Sequence, residues 1–327
     1  MKINVLTAVI GVLLCFSCKN AKKETAPITE NPTTQTTTSP TFFKLSLAEW
    51  SYSGPIHSGK MDPMDFAQKA SEAGFEAVEY VSQLYTPIME KYGDTKTAMD
   101  SLLPALKAKS DQYGIKNLLI MVDNEGALAA KTEADRDAAV ENHKKWVDAA
   151  AYLGCHSIRV NLFGAEDEES WKQGAIDGLS KLTDYAATKN INVLVENHGG
   201  FSSNAPLLME VINGVNKENC GTLPDFGNFC LKREGGAMWN APCIEEYPVY
   251  QGIEELMPKA MDVSAKSYNF DEQGQETQLY FKRILQIVKD AGYTGYVGVE
   301  YEGDMQDPDK GIQLTKELLI SASQNLK

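Results

Sequence analysis

The chain is expected to fold as an α/β protein built on a single (β/α)8 barrel, and three observations lead to that expectation. Short apolar runs of strand length alternate with amphipathic segments eight times, the pattern of a parallel sheet that closes on itself. Several amphipathic segments end in glycine, at Gly74, Gly114, Gly154 and Gly292, as a helix does when the residue after its last turn goes left-handed. Polar residues, many of them acidic, end the apolar runs, where a barrel gathers its active site. A doubly wound open sheet is the alternative. It fits less well because no glycine-rich phosphate turn follows the first strand.

The chain begins "MKINVLTAVIGVLLCFSCKN", one lysine followed by an apolar run too short to span a bilayer comfortably. Residues 1–17 read as a secretory signal, and the "FSC" ending resembles a bacterial lipoprotein signal with Cys18 as the lipidated residue. That resemblance implies an exported, lipid-anchored protein, periplasmic or associated with the outer membrane of a Gram-negative cell. Residues 18–41 are rich in Thr, Pro and Lys and nearly free of large apolar side chains. Such a segment buries too little surface to offset its chain entropy and is expected to be a flexible tether. The barrel is expected over 42–327.

The first strand is "FKLSLAEW" (43–50), followed by "EAVEYV" (76–81), "KNLLIMV" (116–122) and "SIRVNLF" (157–163). Then come "NVLVEN" (192–197), "CGTLPDF" (220–226), "AMDVSAK" (260–266) and "YVGVEYE" (296–302). Helical patterns such as "AAVENHKKWVDAAAYLG" and "TQLYFKRILQIVKDAG" lie between them. The formal charge of −14 repels nucleic acid and anionic membrane, so phosphate-backbone binding is not expected, and any membrane contact is through the lipid anchor. Among the cysteines, Cys230 and Cys243 share one Gly- and Pro-containing stretch and can pair in an oxidising compartment. Cys155 and Cys220 open strands and read as buried free thiols.

Glu49 with Trp50, Glu79, Asp123, Arg159 with Asn161, Glu196, Asp225, Lys266, and Glu300 with Glu302 all stand at or near strand ends. Each case alone marks no more than a strand edge. Glu196, Asp225 and Glu300 stand out, ending "INVLVE", "CGTLPD" and "GYVGVE". Three carboxylates converging in a low-dielectric cavity either hold protons at raised pKa or hold a divalent cation. All-oxygen ligands favour Mg or Mn, with Zn or Co less suited.

At "VENHGG", "LPDFGN" and "GYVGVEYEG" the chain resembles the xylose-isomerase-like TIM-barrel superfamily, the sugar phosphate isomerase/epimerase group. Keto-sugar epimerases, inosose dehydratases and apurinic endonuclease-like proteins belong to it. The likeness runs from about Leu45 to Leu319. It implies one divalent metal held by Glu196, Asp225 and Glu300 with a histidine on the seventh strand, and two glutamates that exchange the substrate proton. Here the seventh strand departs from the family's His-x-Lys and reads Ser264-Ala265-Lys266. The fourth ligand is then water, Ser264 or Asp262, or else the Lys266 ammonium neutralises the acids and no metal binds.

His198, in a loop whose glycines let backbone approach a ligand, is expected to contact a sugar hydroxyl or shuttle a proton. Asn228 falls where relatives place a substrate-facing histidine. Arg159 and Lys266 are candidates to orient substrate oxygens or simply to pair with the acids, Trp50 to stack on a sugar face, and His57 and Glu79 to complete the contacts. His143 and His156 read as structural. The segment "GNFCLKREGGAMWNAPCIEEYP" reads either as a cover for the pocket, with Trp239 as a contact, or as a surface excursion.

These residues point first to an isomerase or epimerase that removes a proton next to a carbonyl of an unphosphorylated sugar or cyclitol with help from a metal. The same enediolate chemistry makes a lyase or dehydratase acting on keto-sugars or 3-keto-glycosides the alternative. A non-catalytic sugar-binding lipoprotein is the third reading, and Ser264 is the residue that favours it. A nuclease fits poorly, since related nucleases use a histidine-rich multi-metal site and this chain has four histidines and an acidic charge balance.

Overall fold

The computed structural model describes residues 40–304 and 307–327. The signal segment 1–17, Cys18 and nearly all of the tether lie outside the described residues. The strands are β1 (Lys44–Ala48), β2 (Ala77–Val81), β3 (Lys116–Val122), β4 (Ser157–Val160), β5 (Asn192–Glu196) and β6 (Cys220–Leu223). After them come β7 (Cys230–Arg233), β8 (Cys243–Glu246), β9 (Val263–Ser267) and β10 (Tyr296–Tyr301). Eight of these form one sheet in the order β6-β5-β4-β3-β2-β1-β10-β9, every neighbouring pair parallel.

The ends of that sheet, β6 and β9, meet through the isolated bridges Thr222–Ala260 and Asp225–Ser264. The Ser264 N–H donates to the Pro224 carbonyl at 3.0 Å, and the Phe226 N–H donates to the Ser264 carbonyl at 3.1 Å. Pro224 has no N–H to contribute, so the seam is stitched by bridges rather than a continuous ladder. This is the (β/α)8 barrel expected from the alternation. The sixth strand stops earlier than its apolar run, and the seventh starts at Val263 rather than Ala260, both at this seam.

The helices are α1 (Ser53–His57), α2 (Phe66–Glu72), α3 (Thr86–Met89), α4 (Thr95–Tyr113) and α5 (Glu133–Leu153). They continue with α6 (Glu168–Ala187), α7 (Ala205–Val215), α8 (Val249–Leu256), α9 (Phe281–Asp290) and α10 (Pro308–Ala322). The Thr132 hydroxyl caps α5 by accepting the Asp135 N–H, and Asp167 caps α6 through the Ser170 N–H, caps worth about 1 kcal/mol each. Gly114 and Gly154 follow α4 and α5 with φ of 65° and 78°, the left-handed exit that glycine makes without strain.

Side-chain alternation along each strand divides the core in two. Val193, Val195, Val297 and Val299 pack outward in one cluster with helix residues such as Trp171 and Ile284. Ala48, Val81, Leu119, Met121, Leu194 and Leu223 fill the barrel interior. Glu79 belongs to this interior. It is 1% exposed and takes the Ser46 hydroxyl at 2.5 Å. A Cβ built on Gly298 would lie 2.3 Å from its Oε1. Gly298→Ala is therefore expected to cost about 1–3 kcal/mol by overpacking, seen as a lower urea midpoint. An unchanged midpoint would show that Glu79 has room to swing aside.

Candidate active site

Period-two facing brings the last inward residue of each strand to one mouth. Glu196 ends β5, and Arg159 lies beside Leu194 across the β4–β5 pair. Lys266 on β9 is the direct neighbour of Glu300 on β10. Asp225 follows β6 at the seam.

The contacts are dense. The Asn228 amide donates to Glu196 Oε1 at 2.8 Å, and Arg159 Nε stands 2.8 Å from Glu196 Oε2 as an ion pair. The other side of the guanidinium donates from Nη1 to Asp123 Oδ1 at 2.8 Å. Asp225 Oδ1 accepts the Gly227 N–H at 2.9 Å, and Oδ2 accepts the Ser264 hydroxyl at 2.6 Å. Ser264 Oγ also lies 3.4 Å from Glu300 Oε2, but its one proton is committed to Asp225. Lys266 Nζ sits 3.2 Å from Glu300 Oε1, 3.3 Å from Glu302 Oε1 and 3.9 Å from Asp225 Oδ2. It also donates to Asn228 Oδ1 at 3.2 Å, so the Asn228 amide bridges Lys266 and Glu196.

Five carboxylates (Asp123, Glu196, Asp225, Glu300, Glu302) thus surround two cations, Arg159 and Lys266. Burial pushes Glu300 up to about 8; Lys266 pulls it down, and Glu302 and Asp225 push it up again. Burial likewise takes Asp225 to about 7 against the pull of Lys266. Asp123 goes the other way: burial would raise it, but the Arg159 guanidinium holds it below the ordinary carboxylate range. Burial would also discharge Lys266, but Asp225, Glu302 and Glu300 raise it well above the usual lysine range, and it stays an ammonium.

His198 is set by a chain of amides and acids. Asn161 Nδ2 donates to Asp123 Oδ1 at 2.6 Å, which turns Asn161 Oδ1 toward His198 Nδ1 at 2.7 Å. An amide oxygen only accepts, so Nδ1 carries the proton and Nε2 is left as the basic nitrogen. Burial lowers the imidazole below its usual range, keeping it neutral. The following Gly199 has φ of 89°, a turn that a side chain would strain. It lets the Gly199 N–H reach Ser203 Oγ at 2.8 Å.

A cavity of about 1080 Å³ opens over this floor. One wall is aromatic: Trp239 lies 4.7 Å from the His198 ring and 5.9 Å from Phe163. Trp239 rides on the β7–β8 hairpin, which the Cys230–Cys243 disulfide ties together, while Cys155 and Cys220 are buried free thiols. Replacing Cys243 by Ser is expected to loosen the hairpin and expose Trp239, already 40% exposed, still further without melting the barrel. Acrylamide quenching, with Trp239→Phe as the blank, should rise. Equal quenching in both proteins would show that packing alone holds the hairpin.

Glu196, Glu300, Lys266, Arg159, His198, Asn228 and Trp50 all line the cavity. Asp225 and Ser264 stand behind Lys266, almost fully buried and outside the lining. Glu79 does not reach the cavity, because it occupies the barrel interior below. Asp262, just before β9, is at the opposite end of the barrel, its carboxylate 3.4 Å from His156 Nε2, too far down to join the other acids. His57 packs edge-on against Trp50 at 5.9 Å but is exposed and outside the lining. The structure adds Asp123, Asn161 and Glu302, whose signal was their position at strand ends, and Phe163 and Tyr268, which carried no signal.

The family described as a xylose isomerase-like TIM barrel matches residues 67–321. The chain belongs to that family. Among solved structures, it is similar to the IolI protein with a bound zinc atom, at 15% identity and a TM-score of 0.63, over 87% of this chain and 99% of that one. A D-allulose 3-epimerase from Methylomonas sp. is 14% identical, with a TM-score of 0.65 over 86% and 99%. A sugar phosphate isomerase/epimerase from Parabacteroides distasonis is 16% identical, with a TM-score of 0.62 over 92% and 100%. At such identities the likeness shows the fold. The 3'-dehydrocarminate deglycosidase alpha subunit of a Microbacterium sp. is 42% identical over 48 residues, which span 15% of this chain and 14% of that protein.

The family and the zinc-bound IolI structure suggest a divalent metal. The donor set here does not fit one. Both oxygens of Glu196 and of Asp225, and Oε1 of Glu300, already face a protein donor or cation. A serine hydroxyl stands where an imidazole was expected. Among the described residues, no three His, Cys, Asp or Glu side chains are grouped to hold a metal.

Proposed function

We propose that the protein is a sugar isomerase or epimerase that moves a proton at a carbon beside the carbonyl of an unphosphorylated sugar or cyclitol. The carrying observation is that Glu196 and Glu300 reach one cavity from different strands with the Lys266 ammonium beside Glu300. Glu196, ion-paired with Arg159, is the carboxylate that takes the proton. The Lys266 ammonium faces the oxygen that becomes negative, and a fixed ammonium in a water-poor site stabilises an enediolate strongly, while the basic Nε2 of His198 accepts a hydrogen bond from a sugar hydroxyl. Glu300, protonated near neutrality, returns a proton. The acidic floor supports the choice of an uncharged sugar over a sugar phosphate, since both buried cations are already paired with carboxylates.

A lyase acting on keto-glycosides is the second reading. The same enediolate expels a β-substituent, and the aromatic wall of Phe163, His198 and Trp239 gives a flat leaving group a surface. The local likeness to a deglycosidase subunit favours this reading. The protein is proposed to work outside the cytoplasm, anchored through Cys18, and the Cys230–Cys243 disulfide supports an oxidising compartment.

The test is incubation in deuterated water with a panel of ketoses, cyclitol ketones and 3-keto-glycosides, followed by NMR. Deuterium incorporation with a new isomer supports the first reading, and release of the aglycone supports the second. Sugar binding without exchange anywhere on the panel would leave a sugar-binding protein and sink both catalytic readings.

A further inference from the structure

The carboxylate trio that a family metal would need is held by groups from this chain, and they are arranged around one side chain. Lys266 is 2% exposed and contacts Glu300 and Glu302 at 3.2 and 3.3 Å, with Asp225 at 3.9 Å. The Ser264 hydroxyl, two residues earlier on the same inward face of β9, donates to Asp225 and touches Glu300. Asp225 is thereby turned to the seam and away from the cavity.

We propose that Lys266 and Ser264 together replace the divalent cation, so that the centre carries a built-in positive charge and binds no metal. The two side chains divide the work a metal would do. The hydroxyl takes over the ligand position by tying Asp225 to β9, and Lys266 holds Glu300. The ammonium supplies a charge with three donors, which face Glu300, Glu302 and the Asn228 amide oxygen, and a ligand oxygen in the cavity gains a hydrogen bond by taking the place of the neutral Asn228 oxygen. A point charge on a flexible stem also stays inside the chain when solution metal is scarce, which a coordinated ion does not. The consequence for chemistry is a proton-transfer centre that polarises its ligand by hydrogen bonding and charge alone. This inference concerns the cation and stands independently of which sugar is the substrate.

The experiment measures metal content and metal binding directly, without an activity assay. The folded protein is dialysed against Mn2+ or Zn2+, then against buffer, and bound metal is counted by mass spectrometry. Calorimetric titration with each ion runs in parallel. The natural sequence should retain no metal and show no saturable heat. The double variant S264H/K266M, which restores an imidazole and removes the ammonium, should retain close to one ion per chain and bind it at least about tenfold more tightly, the ratio equivalent to 1.4 kcal/mol. K266M alone, with the smaller change, should lie between the two.

One ion per chain in the natural sequence, lost in D225N and E300Q, would overturn the proposal. If the double variant fails to fold, the natural sequence still decides the metal question. Retained K266M should then gain affinity if the ammonium is the substitute cation, and no gain would assign Lys266 a packing role only and overturn the replacement.

Discussion

Glu300→Gln and Glu196→Gln should each lower proton exchange into substrate by about 10²–10⁴-fold, the range for loss of a positioned acid or base. Glutamine keeps the size of the side chain and an oxygen for the Lys266 ammonium or the Asn228 amide, so the cavity keeps its shape and only proton transfer is lost. Substrate affinity should change far less than turnover. The pH profile separates the two residues. Burial holds the Glu300 carboxyl near 8, so as a proton donor it works below that value. The rate should fall as pH rises through about 8, and that limb should vanish in Glu300→Gln. Exchange that survives both substitutions would remove the glutamates from the mechanism.

Arg159→Ala should be the most damaging single change to stability, about 3–5 kcal/mol, because it leaves two buried carboxylates without their cation. Arg159 is 6% exposed on its side chain and holds Asp123 and Glu196 at 2.8 Å each. The loss depends on pH in a definite direction. Arg159 holds the Asp123 carboxyl below its unfolded value. Stability from this pair is therefore present above the unfolded aspartate pKa and lost as pH falls through the lower folded value. The difference in urea midpoint between Arg159→Ala and the natural protein should be large at neutral pH and shrink at acid pH. A pH-independent difference would mean lost packing of the arginine stem outweighs the charges.

Much of this centre was legible in one dimension because barrels put function at strand ends. The run "INVLVE" places Glu196 at the mouth of β5 with no knowledge of its neighbours, and "GYVGVE" does the same for Glu300 on β10. Alternation also told which face a residue takes, but not its height. Glu79 and Asp262 share the inward facing of the active-site acids and lie below them, because strand stagger around the barrel sets depth and one sequence does not display it. That Arg159 could pair with acids was legible, but not that it holds both Asp123 and Glu196, since those contacts join β4 to its neighbours on both sides. His57 has a plausible loop position and yet packs beside Trp50 outside the cavity. Ser264 was legible as an exception but not its explanation, which required Lys266 and the seam to be seen together.

The hydrogen bond between Ser264 and Asp225 spans the last join of the sheet, and its partners belong to strands that meet only when the circle is complete. Glu196 on β5 lies on one side of that join and Lys266 and Glu300 on β9 and β10 lie on the other, so the residues that share the cavity are neighbours only in a closed circle. The candidate site is therefore a property of closure, and no single pair of adjacent strands carries it.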